Sequence, residues 1–205
     1  MPSRRKYRKA SRKGYSARKV KKRNLYERFL IVCEGEKTEP HYFKEFRVPK
    51  DVIDIYGFGY NPIRLVKKAI ALKGRDGGYD QVWCVFDRDS VPLAEFNAAL
   101  ALAKKNDIQV AYSNEAFELW YLLHFNFYQT AVPRRDYIKK LSKLMGHEYE
   151  KKSKSIYQEL KTRQPTAIKN AKRLLKQYHP RKPANDNPST TVHLLVEQLN
   201  RFIQE

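Results

Sequence analysis

Acidic side chains directly follow two apolar runs in this 205-residue sequence. Glu34 comes after the run Phe29–Cys33, and Asp87 and Asp89 come after the run Gln81–Phe86. Residues two apart in an extended chain point the same way, so Asp87 and Asp89 can share one ion. If the two runs are neighbouring strands, the three carboxylates converge at one sheet edge, where ligands of open parallel sheets bind. Carboxylate oxygens, water and a substrate phosphate are the ligands that Mg²⁺ or Mn²⁺ prefers. The pattern therefore predicts a divalent-metal site rather than acids that only cap helices.

Two further residues near this edge are candidates for the same chemistry. Glu118 lies among apolar residues at the start of a predicted helix, and burying an unpaired acid there is costly. A metal or a basic residue is its expected partner. Lys37 stands near a predicted helix N-terminus, where it can contact a phosphate. The segment around Lys37 lacks the upstream glycine of a nucleotide-binding phosphate loop, so no nucleotide cofactor is expected.

Positive charge is concentrated in two segments of the chain. Of the net charge of +20, residues 1–28 contribute +12 and residues 134–183 contribute +12, while the remaining segments are slightly acidic. Clustered Lys and Arg are typical of proteins that bind the phosphates of nucleic acid, although a solvated surface is the alternative. The predicted contacts are Arg4, Arg5, Lys6, Arg8 and Lys9 in the first segment, and Lys151, Lys152 and Lys154 in the second.

The hydrophobic pattern predicts an α/β fold with a mostly parallel sheet. Strands are expected at 29–33, 52–56, 81–86 and 108–112, with helices at about 38–47, 62–74 and 92–106. From residue 114 onward the pattern is helical, with helices at about 134–145 and 165–178 and a last one from Pro188. The sequence thus predicts a disordered basic arm (1–25), an α/β domain (26–113) and a helical region packed on it (114–205).

Four segments resemble, in order, the motifs of RloB-like proteins. They are LIVCEGEKTEPHYF at 30–43, VFDRD at 85–89, SNEAFELWYLLHF at 113–125 and NPSTTVH at 187–193. The resemblance covers about residues 26–205 and leaves the basic arm outside. RloB-like proteins are in turn similar to the Toprim domains of topoisomerases, primases and OLD-type nucleases.

The resemblance implies a fold, a metal and a reaction. The strand-end glutamate and the Asp-x-Asp pair of Toprim domains bind Mg²⁺ and act on phosphodiesters, and they correspond here to Glu34, Asp87 and Asp89. OLD-type enzymes carry further acids after the first glutamate, which suggests Glu36 or Glu39 as additional metal ligands. RloB-like proteins are associated with bacterial anti-phage loci, and relatives work beside an ATPase, so an ATPase subunit is an expected partner.

The expected function is Mg²⁺-dependent hydrolysis of phosphodiesters in DNA or RNA during antiviral defence. Two alternatives remain open: a non-catalytic nucleic-acid-binding module of a defence complex, and a primase-like or topoisomerase-like strand-transfer enzyme. A cytoplasmic protein is expected, because no apolar run is long enough to span a bilayer and no apolar stretch follows the basic N-terminus. A homo-oligomer is compatible with the sequence, which does not choose between DNA and RNA.

Overall fold

The computed structural model describes residues 27–203, in which five strands form one sheet. The order across the sheet is β2-β1-β3-β4-β5, and the first four strands are parallel while β5 runs antiparallel to β4. The strands are β1 (Phe29–Cys33), β2 (Ile53–Gly57), β3 (Gln81–Asp87), β4 (Gln109–Asn114) and β5 (Ser189–Thr190). The predicted α/β class with a mostly parallel sheet is confirmed.

Eight α-helices connect and cover the strands within the described residues. They are α1 (Thr38–Lys44), α2 (Pro62–Asp76), α3 (Leu93–Lys105), α4 (Glu118–Leu122), α5 (Arg134–Met145), α6 (Ile156–Leu160), α7 (Gln164–Leu175) and α8 (Val192–Asn200). Short 3-10 turns at Lys161–Arg163 and Arg201–Ile203 follow α6 and α8. Within residues 27–203, no helix has the length and apolar character that a membrane crossing requires.

The sheet is buried on both faces because its central strands are apolar throughout. In β1, Phe29, Ile31 and Cys33 belong to one hydrophobic core, and Leu30 and Val32 belong to the other. Side chains of a strand alternate between the two faces, so a continuous apolar run fits a strand covered on both sides. Helices α2 and α3 cover the face of Leu30, whereas α1, α4, α5, α7 and α8 cover the face of Phe29.

Several element boundaries differ from the prediction, most clearly near the C-terminus. The last helix begins at Val192 rather than at Pro188, because Ser189 and Thr190 pair with β4 instead. The Thr190 and Ser113 hydroxyls lie 3.0 Å apart, and the Thr191 hydroxyl accepts a 2.9 Å hydrogen bond from the Tyr112 N–H. Short polar strands have no alternating apolar pattern, so this one was not predictable from hydrophobicity. The hydroxyls of the Pro-Ser-Thr-Thr segment thus join the C-terminal region to the sheet.

The predicted division of the chain at residue 113 remains a prediction. Residues after it supply both a strand of the sheet and much of the core on the Phe29 face, including Trp120, Leu160 and Leu195. The predicted basic arm (1–25) lies outside the described residues.

Candidate functional site

The sheet order places Glu34 and Asp87 side by side. β1 and β3 are adjacent and parallel, with Cys33 opposite Val85, so both strands end at the same edge. The Glu34 N–H donates to the Val85 carbonyl at 2.8 Å, and the Asp87 N–H donates to Glu34 Oε2 at 2.9 Å. The Glu34 side chain is therefore held at the end of β3 by the backbone itself.

Two helices bring further carboxylates to this edge. Glu39 lies in the first turn of α1 and Glu118 begins α4, and their side chains are buried to 5% and 1% exposure. Glu39 packs against Gly35: a Cβ at Gly35 would lie 2.0 Å from Glu39 Oε2. Only glycine leaves room for this carboxyl group. We call Glu34, Glu39, Asp87 and Glu118 the acid cluster.

Burial and mutual repulsion raise the pKa values of three acids of the cluster, Asp87, Glu39 and Glu34. The pKa of Asp87 is raised well above its usual value, first by burial and then by Glu39, Glu118 and Glu34, while Arg134 opposes the rise. The pKa of Glu39 rises to about 7, mainly through burial and then through Glu118 and Glu34. Burial also raises the pKa of Glu34, against the hydrogen bond from the Asp87 backbone. Nearby carboxylates at low dielectric disfavour one another's charge, and a cation relieves this as well as a proton does.

Arg134, the first residue of α5, is the main counter-ion of the site. Its Nη1 lies 2.8 Å from Asp89 Oδ2, and its Nη2 lies 3.6 Å from Asp87 Oδ2. Its Nε lies 3.8 Å from Glu118 Oε2. Lys151 reaches the opposite oxygen of Glu118 at 3.9 Å. Two cations therefore face the four acids of the cluster and Asp89 at its rim.

Several buried oxygens of the cluster have no hydrogen-bond donor. Among residues 27–203, Asp87 Oδ1, Glu39 Oε2 and Glu118 Oε2 are buried without a hydrogen-bond partner. Orphaned buried oxygens are unusual, because an unsatisfied polar group costs about 1–3 kcal/mol. Surplus acids with orphaned oxygens fit a hard divalent cation in charge and in donor chemistry.

The acidic side chains of the cluster are not in positions from which they could together coordinate a metal ion. In the described part of the chain, no three His, Cys, Asp or Glu side chains form a group that could hold a metal ion as they stand. Arg134 instead takes the role of cation, contacting Asp87, Asp89 and Glu118. A metal ion would therefore bind here only if these side chains moved, with Arg134 giving up some of its contacts.

The other predicted site residues lie at different distances from the acid cluster. Asp89 is at the rim, about one-third exposed and bound to Arg134. Glu36 is exposed, with its carboxylate near Gly59. Lys37 precedes α1 and is exposed. These positions leave the proposed metal-binding role of Glu36 and the phosphate contact of Lys37 as predictions.

Of the predicted nucleic-acid contacts, only the second group can be placed. Lys151, Lys152 and Lys154 are exposed in the loop after α5, and the Thr38 hydroxyl donates to the Lys151 carbonyl at 2.7 Å. This hydrogen bond anchors the loop at the start of α1. The first group (Arg4, Arg5, Lys6, Arg8 and Lys9) lies outside the described residues.

Arg134 is a site residue that the sequence pattern does not single out, because it lies within the basic segment 134–183. One local signal existed. Arg134 and Arg135 occupy the first turn of α5, where the helix dipole disfavours positive charge. Cations in that position indicate an acidic partner elsewhere in the fold, although they do not identify it.

The fold and site define an α/β protein with an acid cluster at the carboxyl edge of a parallel sheet. A family model described as RloB-like protein matches residues 29–199, most of the chain. The chain therefore belongs to the RloB-like family, as the sequence motifs predicted. No curated protein and no solved structure matches it. The relation to Toprim domains and OLD-type nucleases remains a prediction.

Proposed function

We propose that this protein is a divalent-metal-dependent nuclease that hydrolyses phosphodiesters of nucleic acid, acting in the cytoplasm in anti-phage defence. The observation that carries the proposal is the surplus of buried acids with orphaned oxygens where β1 and β3 end. An acid cluster of this kind destabilises a fold unless a cation or protons neutralise it. Family membership adds support for the defence role and for an ATPase partner.

Asp87, Glu34 and Glu39 are the residues best placed to hold Mg²⁺, with Glu118 beside them and Asp89 at the rim. Bound there, the ion would activate water and stabilise charge on the phosphate oxygens. The chain's own cations complete the site. Arg134 is one-third exposed and Lys151 nearly half-exposed, so both can contact a substrate phosphate from the solvent side of the acids.

Incubation of the purified full-length chain with plasmid, single-stranded DNA and tRNA pools, with Mg²⁺ or Mn²⁺, tests the proposal directly. We expect metal-dependent cleavage of at least one pool, and we expect Asp87→Asn to lower it by about a hundredfold or more. The control is Asp51→Asn, which makes the same change at an exposed loop position. The assay is repeated with the product of the adjacent gene, since an ATPase there is the expected activator.

Binding of the metal itself is measured separately, by the unfolding free energy in urea. A free metal concentration of 100 times Kd should add about 2.7 kcal/mol to wild type, and Asp87→Asn should remove most of this gain. Tight nucleic-acid binding and metal stabilisation without cleavage of any pool would contradict the nuclease and support the binding module. Nucleotide incorporation would instead support the primase-like alternative.

The basic arm is tested through salt dependence. If residues 1–25 contact phosphates, their removal should flatten the slope of log affinity against log salt concentration, since fewer counterions are released. An unchanged slope would show that the arm does not contact the nucleic acid. That result would not test the proposed cleavage site.

A further inference from the structure

A row of stacked aromatic rings lines the edge strand β2 and continues beyond it. Tyr56, Phe58 and Tyr60 alternate along the chain, and we call them the aromatic row. The Tyr56 and Phe58 ring centroids are 5.9 Å apart with planes inclined by 21°, and those of Phe58 and Tyr60 are 5.3 Å apart with planes inclined by 14°. All three side chains are partly buried against the core on the Leu30 face, and part of each ring remains exposed.

Helix α2 places cations on this row. The Arg64 guanidinium lies over the Tyr60 ring at 4.0 Å from its centroid, and the Lys68 amine lies over Phe58 at 5.2 Å. Lys67 is exposed on the same helix. Among residues 27–203, no ion pair within 4.0 Å involves Arg64, Lys67 or Lys68. Their charges are therefore available to an anionic ligand.

The backbone that carries the aromatic row is joined to the end of β1, where Glu34 lies, while the rings themselves pack on the Leu30 face of the sheet. The Phe58 N–H donates to the Cys33 carbonyl at 3.2 Å, and the Gly59 N–H donates to the Glu34 carbonyl at 2.8 Å. Tyr60 follows Gly59 in the chain. The last ring of the row, Tyr60, is thus one residue away from Gly59, whose N–H binds the Glu34 carbonyl.

We propose that Arg64, stacked at the end of the aromatic row, and the neighbouring Lys67 and Lys68 bind an unpaired nucleic-acid strand and direct it over the carboxyl edge of the sheet to the acid cluster. The proposal rests on the proposed function and adds the substrate class. The rings are too close together for a base to enter between them. A base can extend the stack at Arg64, because planar guanidinium groups stack with bases. The lysines are then placed to contact phosphates, as in other single-strand grooves.

This geometry favours an unpaired strand over a duplex. Bases inside a duplex stack on one another and leave no face free for Arg64, whereas every unpaired base offers one. A protein strand paired with the β2 edge is the competing occupant. It would use backbone hydrogen bonds and would leave the unpaired cations of α2 without a role.

Fluorescence anisotropy in EDTA, which prevents cleavage, tests the surface on the full-length chain. The probes are a labelled 12-nucleotide single-stranded DNA, the RNA of the same sequence and the matched DNA duplex. Arg64→Lys keeps the charge and removes the stacking plane. We expect it to weaken binding of at least one single strand about tenfold and to leave duplex binding unchanged.

The chain contains a closely matched control for this substitution. The Arg173 guanidinium lies over Phe127 at the same 4.0 Å, on the other face of the sheet. Arg173→Lys should change single-strand affinity by less than about twofold, since stacking contributes only where a base is bound. Equal effects of the two substitutions, or no effect of either, would overturn the proposal. Preference between the DNA and RNA probes then identifies the natural strand.

The phosphate contacts are tested by charge removal. The double variant Lys67→Gln/Lys68→Gln should reduce the salt slope for single strands by about 1.4, which corresponds to two lost phosphate contacts. The control Lys104→Gln/Lys105→Gln removes the same charge from exposed positions of α3 and should leave the slope unchanged. An unchanged slope in the α2 variant as well would refute the contacts.

Failure of this inference and failure of the nuclease are distinguishable. If the wild-type protein cleaves no nucleic acid but Arg64→Lys loses single-strand binding, the binding surface is supported and the nuclease proposal is refuted. If wild type and Arg64→Lys show the same metal-dependent cleavage, the nuclease proposal is supported and the proposed binding surface is refuted.

Discussion

The buried carboxyl of Glu39 should make the stability of this protein fall as pH rises. Its pKa increases from 4.5 to about 7 in the folded protein, because the group is buried among other acids. Between those two pH values the folded chain holds a proton that the unfolded chain has lost. The stabilisation is therefore complete below about pH 4.5 and is lost as pH approaches 7.

The expected magnitude follows from the size of this increase. Since each tenfold change in proton affinity corresponds to about 1.4 kcal/mol, ionised Glu39 destabilises the fold by about 3 kcal/mol relative to the protonated form. Glu39→Gln replaces the carboxyl group with a neutral group of the same shape. The variant should resemble wild type near pH 4.5 and exceed its stability by about 3 kcal/mol at pH 8.

Urea unfolding in EDTA at half-unit intervals from pH 4.5 to 8 measures this difference. Taking variant minus wild type cancels the titrating groups that do not interact with Glu39, including His124, whose pKa is lowered to about 4 by burial and which opposes the trend. Asp87 does not cancel, because Glu39 is one of the groups that raise its pKa. Glu150→Gln, at an exposed loop position, is the control and should give a flat difference. A difference for Glu39→Gln that varies by less than about 0.5 kcal/mol over this range would refute the reasoning.

Two further predictions concern the packing of α1, which carries both Glu39 and Tyr42. Gly35→Ala places a methyl group 2.0 Å from Glu39 Oε2 and should cost about 1–3 kcal/mol of unfolding free energy. Gly74→Ala, inside α2 with nothing within 4 Å, should instead gain up to about 1 kcal/mol, and the opposite signs are checked by urea unfolding. Tyr42→Phe removes the acceptor of a 2.9 Å hydrogen bond from buried Trp120 Nε1, so a loss of about 1–3 kcal/mol is expected in the same assay. An unchanged midpoint for Tyr42→Phe would mean that the indole finds another acceptor.

The sheet and part of the site were predictable because their signals are local. Apolar runs marked β1 and β3, and acids at their ends marked Glu34 and Asp87. Adjacency of the two strands was only a condition of the prediction, since strand order depends on contacts between residues that are 52 positions apart, such as Phe29 and Gln81. The sheet order satisfies that condition.

The counter-ion and the aromatic row were not predictable in this way. Arg134 meets Asp89 across 45 residues of sequence, and no local pattern specifies that contact. The alternation of Tyr56, Phe58 and Tyr60 is visible in the sequence, but the same alternation describes rings packed in a core. The edge position of β2 and the cation over Tyr60 distinguish this partly exposed row from rings in an interior core.

The strand order also determines how a bound strand would meet the acids. β1 lies between β2 and β3, so the end of β1 separates the aromatic row from Asp87. Adjacent strands are about 4.8 Å apart, which puts Glu34 roughly one strand spacing from each. A nucleic-acid strand that crosses the sheet edge from β2 would therefore pass Glu34 first and then Asp87, where it would meet Arg134 on the solvent side of the acids. Since a phosphate binds Arg as well as a carboxylate does, the arriving strand can itself draw Arg134 away from Asp87. Substrate binding and metal binding at this edge should then favour each other.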